Sequence, residues 1–450
     1  DTVEAAREHV AAGFRALKLK GGLDVDEDGP PTGHSVGGAD VIININGSPF
    51  HAGKLAERER MLATRAADAH TAIVYVNQVG GQDELVFDGG SVVFDHEGRV
   101  LARSPQFVED LLIVDVPVPP VYRKRLLDPR GRITQALLPT VPVSDTPVVH
   151  DDPAPVSIAE PLDADRELYD ALVLGTRDYC AKNGFSDVVI GLSGGIDSTI
   201  VACIAVDALG AEHVHGVSMP SRYSSDHSKS DAQLLAENLG IDFRTISIEP
   251  AFQAYLDMLG PSFEGREPGL TYENIQSRCR GLLLMALSNK QGHMVLATGN
   301  KSELSVGYAT LYGDMAGGFA PIKDVPKLLV YRLAAYRNSL SSVIPQRVLE
   351  RPPSAELAPD QKDQDSLPPY EILDPILEAY IEKDLSIEEI VAQGFDSETV
   401  RRVATLVDRN EYKRRQAPPG VRISTRAFGR DRRYPITSGF LSAQLHRYGA

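Results

Sequence analysis

The densest chemistry in the chain lies at Asp187-Val-Val-Ile-Gly-Leu-Ser-Gly-Gly-Ile-Asp-Ser-Thr199. An apolar run, Val188–Ile190, meets a glycine-punctuated turn, and an apolar-periodic segment follows from Ile200. That order predicts a buried strand, a tight turn and a helix N-terminus. Gly191, Gly194 and Gly195 permit positive φ and close backbone approach, so successive N–H groups can converge on one anion. The helix dipole adds partial positive charge there, and Ser193, Ser198 and Thr199 add hydroxyl donors. Gly191, Leu192, Ser193, Gly194, Gly195, Ile196, Asp197 and Ser198 therefore form a candidate phosphate cradle. The bland alternative is an ordinary strand-to-helix turn, but Ser-Gly-Gly-x-Asp-Ser is far more constrained than a lone G-x-G. No Gly-Lys-Ser/Thr ending follows, so phosphoryl transfer of the Walker A type is not indicated. Asp197 suits either a metal-bridged pyrophosphate or the plain preference of acids for a first helical turn.

A second strand–glycine–hydroxyl–acid pattern occurs at Met294-Val-Leu-Ala-Thr-Gly-Asn-Lys-Ser-Glu303. Thr298 could bond a nucleotide. Glu303 is either a second carboxylate on the metal, a ribose ligand, or a solvated first-turn residue. Asn274 lies on a predicted helix near Arg278 and Arg280, whose plain reading is a capping region with a solvated basic face. The runs Tyr412-Lys-Arg-Arg-Gln416 and Gly429-Arg-Asp-Arg-Arg-Tyr434 are either solvated faces or a local positive potential for a polyanion.

The elements that position these groups alternate from about residue 165. The pattern gives a helix before the cradle, a strand at 214–218, helix 229–239, strand 241–247, helices 249–258 and 272–289, and strand 294–297. Such spacing predicts parallel βαβ units with ligand at the strands' C-terminal ends. Upstream, 41–45 and 72–76 are predicted strands around a helix at 52–69. Antiparallel strands follow through 85–101. Residues 119–164 form a Pro-rich, acidic linker. Residues 1–22 carry a helix pattern (Val3, Ala6, Val10, Phe14) leading to a strand, and 24–38 read as linker; the start at Asp1 suggests an unnatural beginning.

Composition narrows the function classes. At 450 residues, two or three domains with ample core are expected. The net charge of −16 argues against nucleic-acid or membrane-surface binding by bulk attraction. Cys180, Cys203 and Cys279 lie far apart with no C-x-x-C pair, which argues against a disulfide framework or a zinc site and for small buried hydrophobes. No run has the length of a membrane span. A cytoplasmic protein is expected.

Several phrases carry family resemblances. Residues 165–450 resemble the synthetase domain of NAD+ synthetases, an ATP-pyrophosphatase-type α/β fold with a Rossmann-like parallel sheet. The phrases are Gly191–Ser198, Leu270–Arg280, Leu296–Glu303, Leu311-Tyr-Gly-Asp-Met-Ala-Gly-Gly318 and Tyr412–Gln416. The first marks only the superfamily, which includes GMP synthetases and tRNA-thiolating enzymes; the later ones narrow it. Residues 39–118 resemble the C-terminal half of a nitrilase-type αββα glutaminase domain. There the matches are Asn44-Ile-Asn-Gly-Ser-Pro-Phe-His51 and Val76–Gly90. Residues 1–22, with Lys18 and Lys20, resemble a strand end of the enolase superfamily, and no function is carried over from that fragment. The implied organisation is a foreign or linker-like segment at 1–38, a partial glutaminase unit at 39–118, the linker at 119–164 and the synthetase domain at 165–450.

The resemblance implies that Gly191–Ser198, Thr298, Lys327 and Ser354 contact ATP, with Ser354 in place of a usual threonine. It further implies that Asn274, Glu303 and Lys413 contact deamido-NAD+, and that Asp197, joined by Glu303, binds Mg2+. Ser48 and Lys54 match the family's glutamine-binding positions. The family's Glu-Lys-Cys triad lies upstream of that point, yet this chain has no cysteine before Cys180. Without a thiolate no glutamyl thioester forms. The implied reaction is amidation of deamido-NAD+ through an acyl-adenylate, releasing pyrophosphate and AMP, with ammonia rather than glutamine as nitrogen donor. At least a homodimer is expected. The alternatives are another adenylating enzyme of this superfamily, or an inactive nucleotide-binding fusion fragment.

Overall fold

The computed structural model describes residues 40–117, 156–265, 269–354, 356–358, 361 and 363–439. The predicted elements within 1–38 and most of the 119–164 linker lie outside these residues. The chain divides into two compact units, one built mainly from 53–79 and 87–162, the other from 163 onward together with 50–52 and 80–86.

In the first unit, β1 (Val41–Asn46), α1 (Lys54–Ala69), β2 (Ala72–Asn77), β3 (Val92–Phe94) and β4 (Val100–Arg103) form a sheet with one covering helix. The sheet order is β1-β2-β3-β4; β1 and β2 are parallel, the later pairs antiparallel. Leu62 and Ala66 of α1 pack on Ile73, Tyr75, Val92 and Phe94. Arg58, also on α1, is buried and ion-paired with Asp88 at 2.8 Å. Beyond β4, Arg103 exchanges backbone hydrogen bonds with Ser157 and Ala159.

In the second unit, α2 (Ala164–Lys182) leads into β5 (Val188–Gly191), α3 (Ile196–Leu209), β6 (Val214–Ser218), α4 (Asp226–Leu239), β7 (Asp242–Thr245), α5 (Glu249–Phe263), α6 (Leu270–Gln291) and β8 (Met294–Leu296). The four strands are parallel in the order β8-β5-β6-β7. α6 begins two residues before its predicted start and α4 three before, since Ser225 caps α4 by accepting from the Ser228 N–H.

Val189, Val217 and Val295 lie on one face of this sheet and pack with Phe252, Ile275, Cys279 and Leu284 from α5 and α6. By strand alternation Val188 and Ile190 point to the other face, where α3 lies. α3 is apolar around its circumference, with Ile200, Val201, Ala202, Cys203, Ile204 and Ala205 all fully buried. Such a helix must sit inside the protein, and each fully buried Ile contributes about 1.5–3 kcal/mol. This burial fixes the N-terminus of α3 at the end of β5. The remaining chain supplies α7 (Lys301–Val306), α8 (Lys327–Leu340), α9 (Tyr370–Leu377), α10 (Ser397–Arg409) and α11 (Glu411–Arg414). α9 and α10 share a core with Val306, Phe428 and Tyr434.

The strand order reverses between β5 and β8: from β5 the chain steps through β6 to β7, then returns to β5's other side as β8. Open parallel sheets bind ligands outside the strand C-termini at such a switch point. Both chemistry-bearing turns, 191–198 and 298–303, leave the sheet there.

Candidate functional site

The turn after β5 is held by its own hydroxyls. The Ser198 hydroxyl donates to the Gly195 carbonyl at 3.1 Å and accepts from the Ser193 N–H at 3.3 Å. The Ser193 hydroxyl accepts from the Gly195 N–H at 3.2 Å. Two expectations change. Of the three glycines only Gly194 has positive φ, at 78°. Thr199 is buried rather than offering a donor. Gly194 is needed for a second reason: a Cβ there would stand 2.3 Å from the Ser228 carbonyl oxygen. Ile196, Asp197 and Ser198 open α3, and N–H groups of a first turn have no intrahelical acceptor. The Ser193 and Gly195 N–H groups are taken up within the turn, so the backbone donors left for an anion are those of the first turn of α3, at a helix N-terminus.

The facing wall comes from the end of β8. Asn300 caps α7 by accepting from the Glu303 N–H at 3.0 Å, and its amide donates to Asp197 Oδ1 at 3.0 Å. The cap thereby ties the two turns together. Lys327, the first residue of α8, is buried and donates to Asp197 Oδ2 at 2.5 Å and Glu303 Oε1 at 3.1 Å. Burial opposes the Lys327 charge, but Asp197 and Glu303 outweigh it and hold the ammonium in its charged form. Burial pushes the Glu303 carboxyl up to about 8 against the pull of Lys327. Glu303 is therefore not the solvated first-turn residue that one sequence reading allowed.

These walls bound a cavity of about 590 Å³. It is lined by Gly191–Ser198, Thr298, Lys327, Ser354, Asn274, Glu303 and Lys413, so the structure brings these sequence-selected positions together. Asn274 accepts from the Thr310 hydroxyl at 2.9 Å. Lys413 donates to the carbonyls of Gly307 and Ala309 at 2.7 and 2.8 Å, which leaves one N–H of its three. Ser354 donates to the Gln361 carbonyl. Ser48 and Lys54 lie in the first unit instead. There the Ser48 N–H donates to Asn77 Oδ1 at 2.9 Å, and Lys54 pairs with Glu57 at 3.4 Å.

The basic segments divide: Arg415, Arg430 and Arg433 are exposed, Lys413 lines the cavity, and other cations turn inward. Arg280 is no solvated face: it lines the cavity and donates to the Met219 carbonyl at 3.1 Å. Arg414 is buried against Glu411 and the Ser305 carbonyl, and Arg432 pairs with Asp384. Arg414 is spent inside the protein because a buried guanidinium must be paired, whereas the Arg432–Asp384 pair is partly exposed.

Several cavity groups escaped the sequence reading. Arg351 donates to the Ser228 hydroxyl at 2.7 Å and pairs with Glu356, which in turn accepts from Ser225 and Ser228. Nothing local marks that latch, which joins residues more than a hundred positions apart. Asn300 did leave a signal, since Asn-x-x-Glu before an apolar turn is a helix-start pattern.

Two carboxylates on one side of a cavity are a normal protein share for Mg2+, which takes one or two and keeps phosphate or water oxygens for the rest. Asp197 and Glu303 are 19% and 17% exposed, line the cavity and share the Lys327 ammonium. Their chemistry fits such an ion once phosphate oxygens complete the shell.

Comparison with known proteins agrees with this architecture. A family model described as NAD synthase matches residues 168–417, and one described as carbon-nitrogen hydrolase matches 33–125. The chain is 49% identical over 441 residues to the glutamine-dependent NAD(+) synthetase of Thermotoga maritima, covering 94% of this chain and 75% of that protein. It is 50% identical over 423 residues to that of Aquifex aeolicus, covering 92% and 73%. A solved glutamine-dependent NAD+ synthetase from Acinetobacter baumannii, in complex with ADP, superposes with a TM-score of 0.59 at 45% identity, over 89% of this chain and 68% of that one. Among the described residues no helix is long and apolar enough to cross a membrane. The chain belongs to the glutamine-dependent NAD+ synthetase family of ATP-using C–N ligases.

Proposed function

We propose that this chain converts deamido-NAD+ to NAD+ in two steps. The nicotinate carboxylate attacks the α-phosphorus of ATP, releasing pyrophosphate and leaving an acyl-adenylate. Ammonia then attacks the acyl carbon and AMP departs. The observation that carries this reading is the Asp197–Lys327–Glu303 bridge facing the backbone cradle across one cavity. Donors and fixed charges aimed at a phosphate chain act mainly by positioning and charge neutralisation, which is what displacement at phosphorus requires.

In this reading the 191–198 turn and Lys327 hold the ATP phosphates, with Thr298 and Ser354 beside the nucleotide. Asn274, Glu303 and the remaining N–H of Lys413 face deamido-NAD+. Asp197 and Glu303 would hold Mg2+, which supplies charge neutralisation on the departing pyrophosphate when bound. Relatives are named as glutamine-dependent, and for these 450 residues acting alone the nitrogen donor proposed is ammonia. Cys180, Cys203 and Cys279 are all buried. Burial pushes the Cys180 thiol up to about 11 and Cys203 to about 12, so neither is a ready thiolate.

The test uses the 450-residue chain with deamido-NAD+, MgATP and either ammonium or glutamine. NAD+ is expected with ammonium and only at background with glutamine. Equal rates with both would overturn the ammonia assignment, and no NAD+ with either would overturn the whole reading.

A further inference from the structure

A second cluster of ligating side chains sits at the opposite end of the parallel sheet. Asp187 precedes β5, His293 precedes β8, His215 is the second residue of β6 and Asp242 the first of β7. The register aligns Met294 with Val188, and His215 with both Val189 and Asp242. Side chains two apart on a strand share a face, so this pairing gathers Asp187, His215, His293 and Asp242 on one face of the sheet edge. Among the described residues, Asp187, His215 and His293 form the one group of three whose ligand atoms all lie within 4.8 Å of one another.

We propose that Asp187, His215 and His293 bind a divalent transition metal of the zinc class, with a water in the fourth position. Asp187 Oδ1 and His215 Nε2 are 3.2 Å apart. Zinc with N and O ligands at about 2.0–2.1 Å has tetrahedral edges of roughly 3.3–3.4 Å, so this pair already has the spacing of two ligands. The other nitrogen of His215 lies 3.1 Å from Asp242 Oδ2, and Arg244 fixes that carboxylate at 2.6 Å. A carboxylate on the far nitrogen of a ligating imidazole orients it and raises its basicity.

His215 meets a carboxylate with each nitrogen, Asp187 at Nε2 and Asp242 at Nδ1, so a metal at Nε2 would take the place of one N–H while Asp242 holds the other. The His215 and His293 rings stack at 4.2 Å with their planes 19° apart, so His293 must turn about its side-chain torsions for both rings to point a nitrogen at one ion. The buried His293 Nδ1 has no hydrogen-bond partner. Imidazole donors select zinc-class ions over Mg2+. His213, 3.4 Å from the same Asp187 oxygen, stands at the rim. Such an ion would clamp the starts of β5, β6 and β8, and the inference is independent of the proposed activity.

The test titrates chelator-stripped protein with Zn2+ by calorimetry, and with Co2+ to read the visible bands of a tetrahedral site. One Zn2+ per chain is expected, with a rise in melting temperature that Mg2+ does not reproduce. Asp187→Asn and His293→Gln should each weaken Zn2+ binding at least tenfold, and Asp242→Asn by about 10–100-fold. Glu303→Gln should leave it unchanged. Metal-free melting curves of the variants show that they fold, and either of the first two suffices if the other does not. Absent Zn2+ binding, or binding unaffected by these substitutions but lost in Glu303→Gln, would overturn the assignment.

Discussion

Gly194→Ala isolates what the cradle backbone must do. Two effects separate at this position. The φ of 78° strains any L-residue by about 1–2 kcal/mol. The new Cβ would also lie 2.3 Å from the Ser228 carbonyl oxygen, and reaching ordinary contact at 3.4 Å requires a shift of about 1.1 Å. Ser228 is held by Arg351 and Glu356, so the cradle is the side that yields. Misplacement of a binding group by about 1 Å is enough for roughly a 100-fold rate loss. Gly292→Ala is the matched control, since Gly292 has φ 77° and nothing within 4 Å of a built Cβ. Steady-state NAD+ formation should fall about 100-fold in kcat/KM for Gly194→Ala and stay near wild type for Gly292→Ala, while both lower Tm. Equal kinetics for the two variants would refute the clash, and with it the claim that this backbone is fixed against Ser228.

Other consequences follow from the ion pairs. Lys327→Met leaves Asp197 and Glu303 without their shared cation, and loss of about 3–5 kcal/mol in denaturant unfolding is expected at pH 8.5. The loss should shrink at pH 6, where Glu303 takes up a proton. The Glu303 pKa of about 8 exceeds its unfolded value, so the folded state binds the extra proton between about pH 4.5 and 8. Ligand-free stability attributable to this group should therefore fall as pH rises through that window and level off above it. Thermal melts of Glu303→Gln should lack that slope; an unchanged slope would remove Glu303 as its source. In the first unit, Arg58→Ala strands the fully buried Asp88 and should cost about 3–5 kcal/mol in denaturant unfolding. Arg58→Met with Asp88→Leu should recover much of it, and no recovery would show that Arg58 acts through something other than that charge.

Much of the second unit was legible because its signals are local. The apolar run at 188–190, the glycines and the apolar-periodic 200–209 require only short-range rules, and the alternation of elements gives the parallel sheet. Thr298 and Glu303 were visible as a repeat of the same strand–turn–helix logic. The Lys327 bridge was not, because it joins residue 327 to 197 and 303 through folding alone. The same holds for Arg351 and Glu356. Charge runs misled for a related reason: Arg414 looks solvated in a basic string, yet a four-residue helix turns it inward onto backbone carbonyls. The His215 cluster gave only a His-x-His spacing at 213 and 215, and its partners come from neighbouring strands.

The central claim is that carboxylate activation passes through an acyl-adenylate, and isotope transfer tests it most directly. Deamido-NAD+ carrying 18O in its nicotinate carboxylate is turned over with MgATP and ammonium, and the products are resolved by mass spectrometry. The bridging oxygen stays on phosphorus when ammonia displaces the adenylate, so one 18O per turnover should appear in AMP. Label absent from AMP and present in orthophosphate or pyrophosphate would contradict the account.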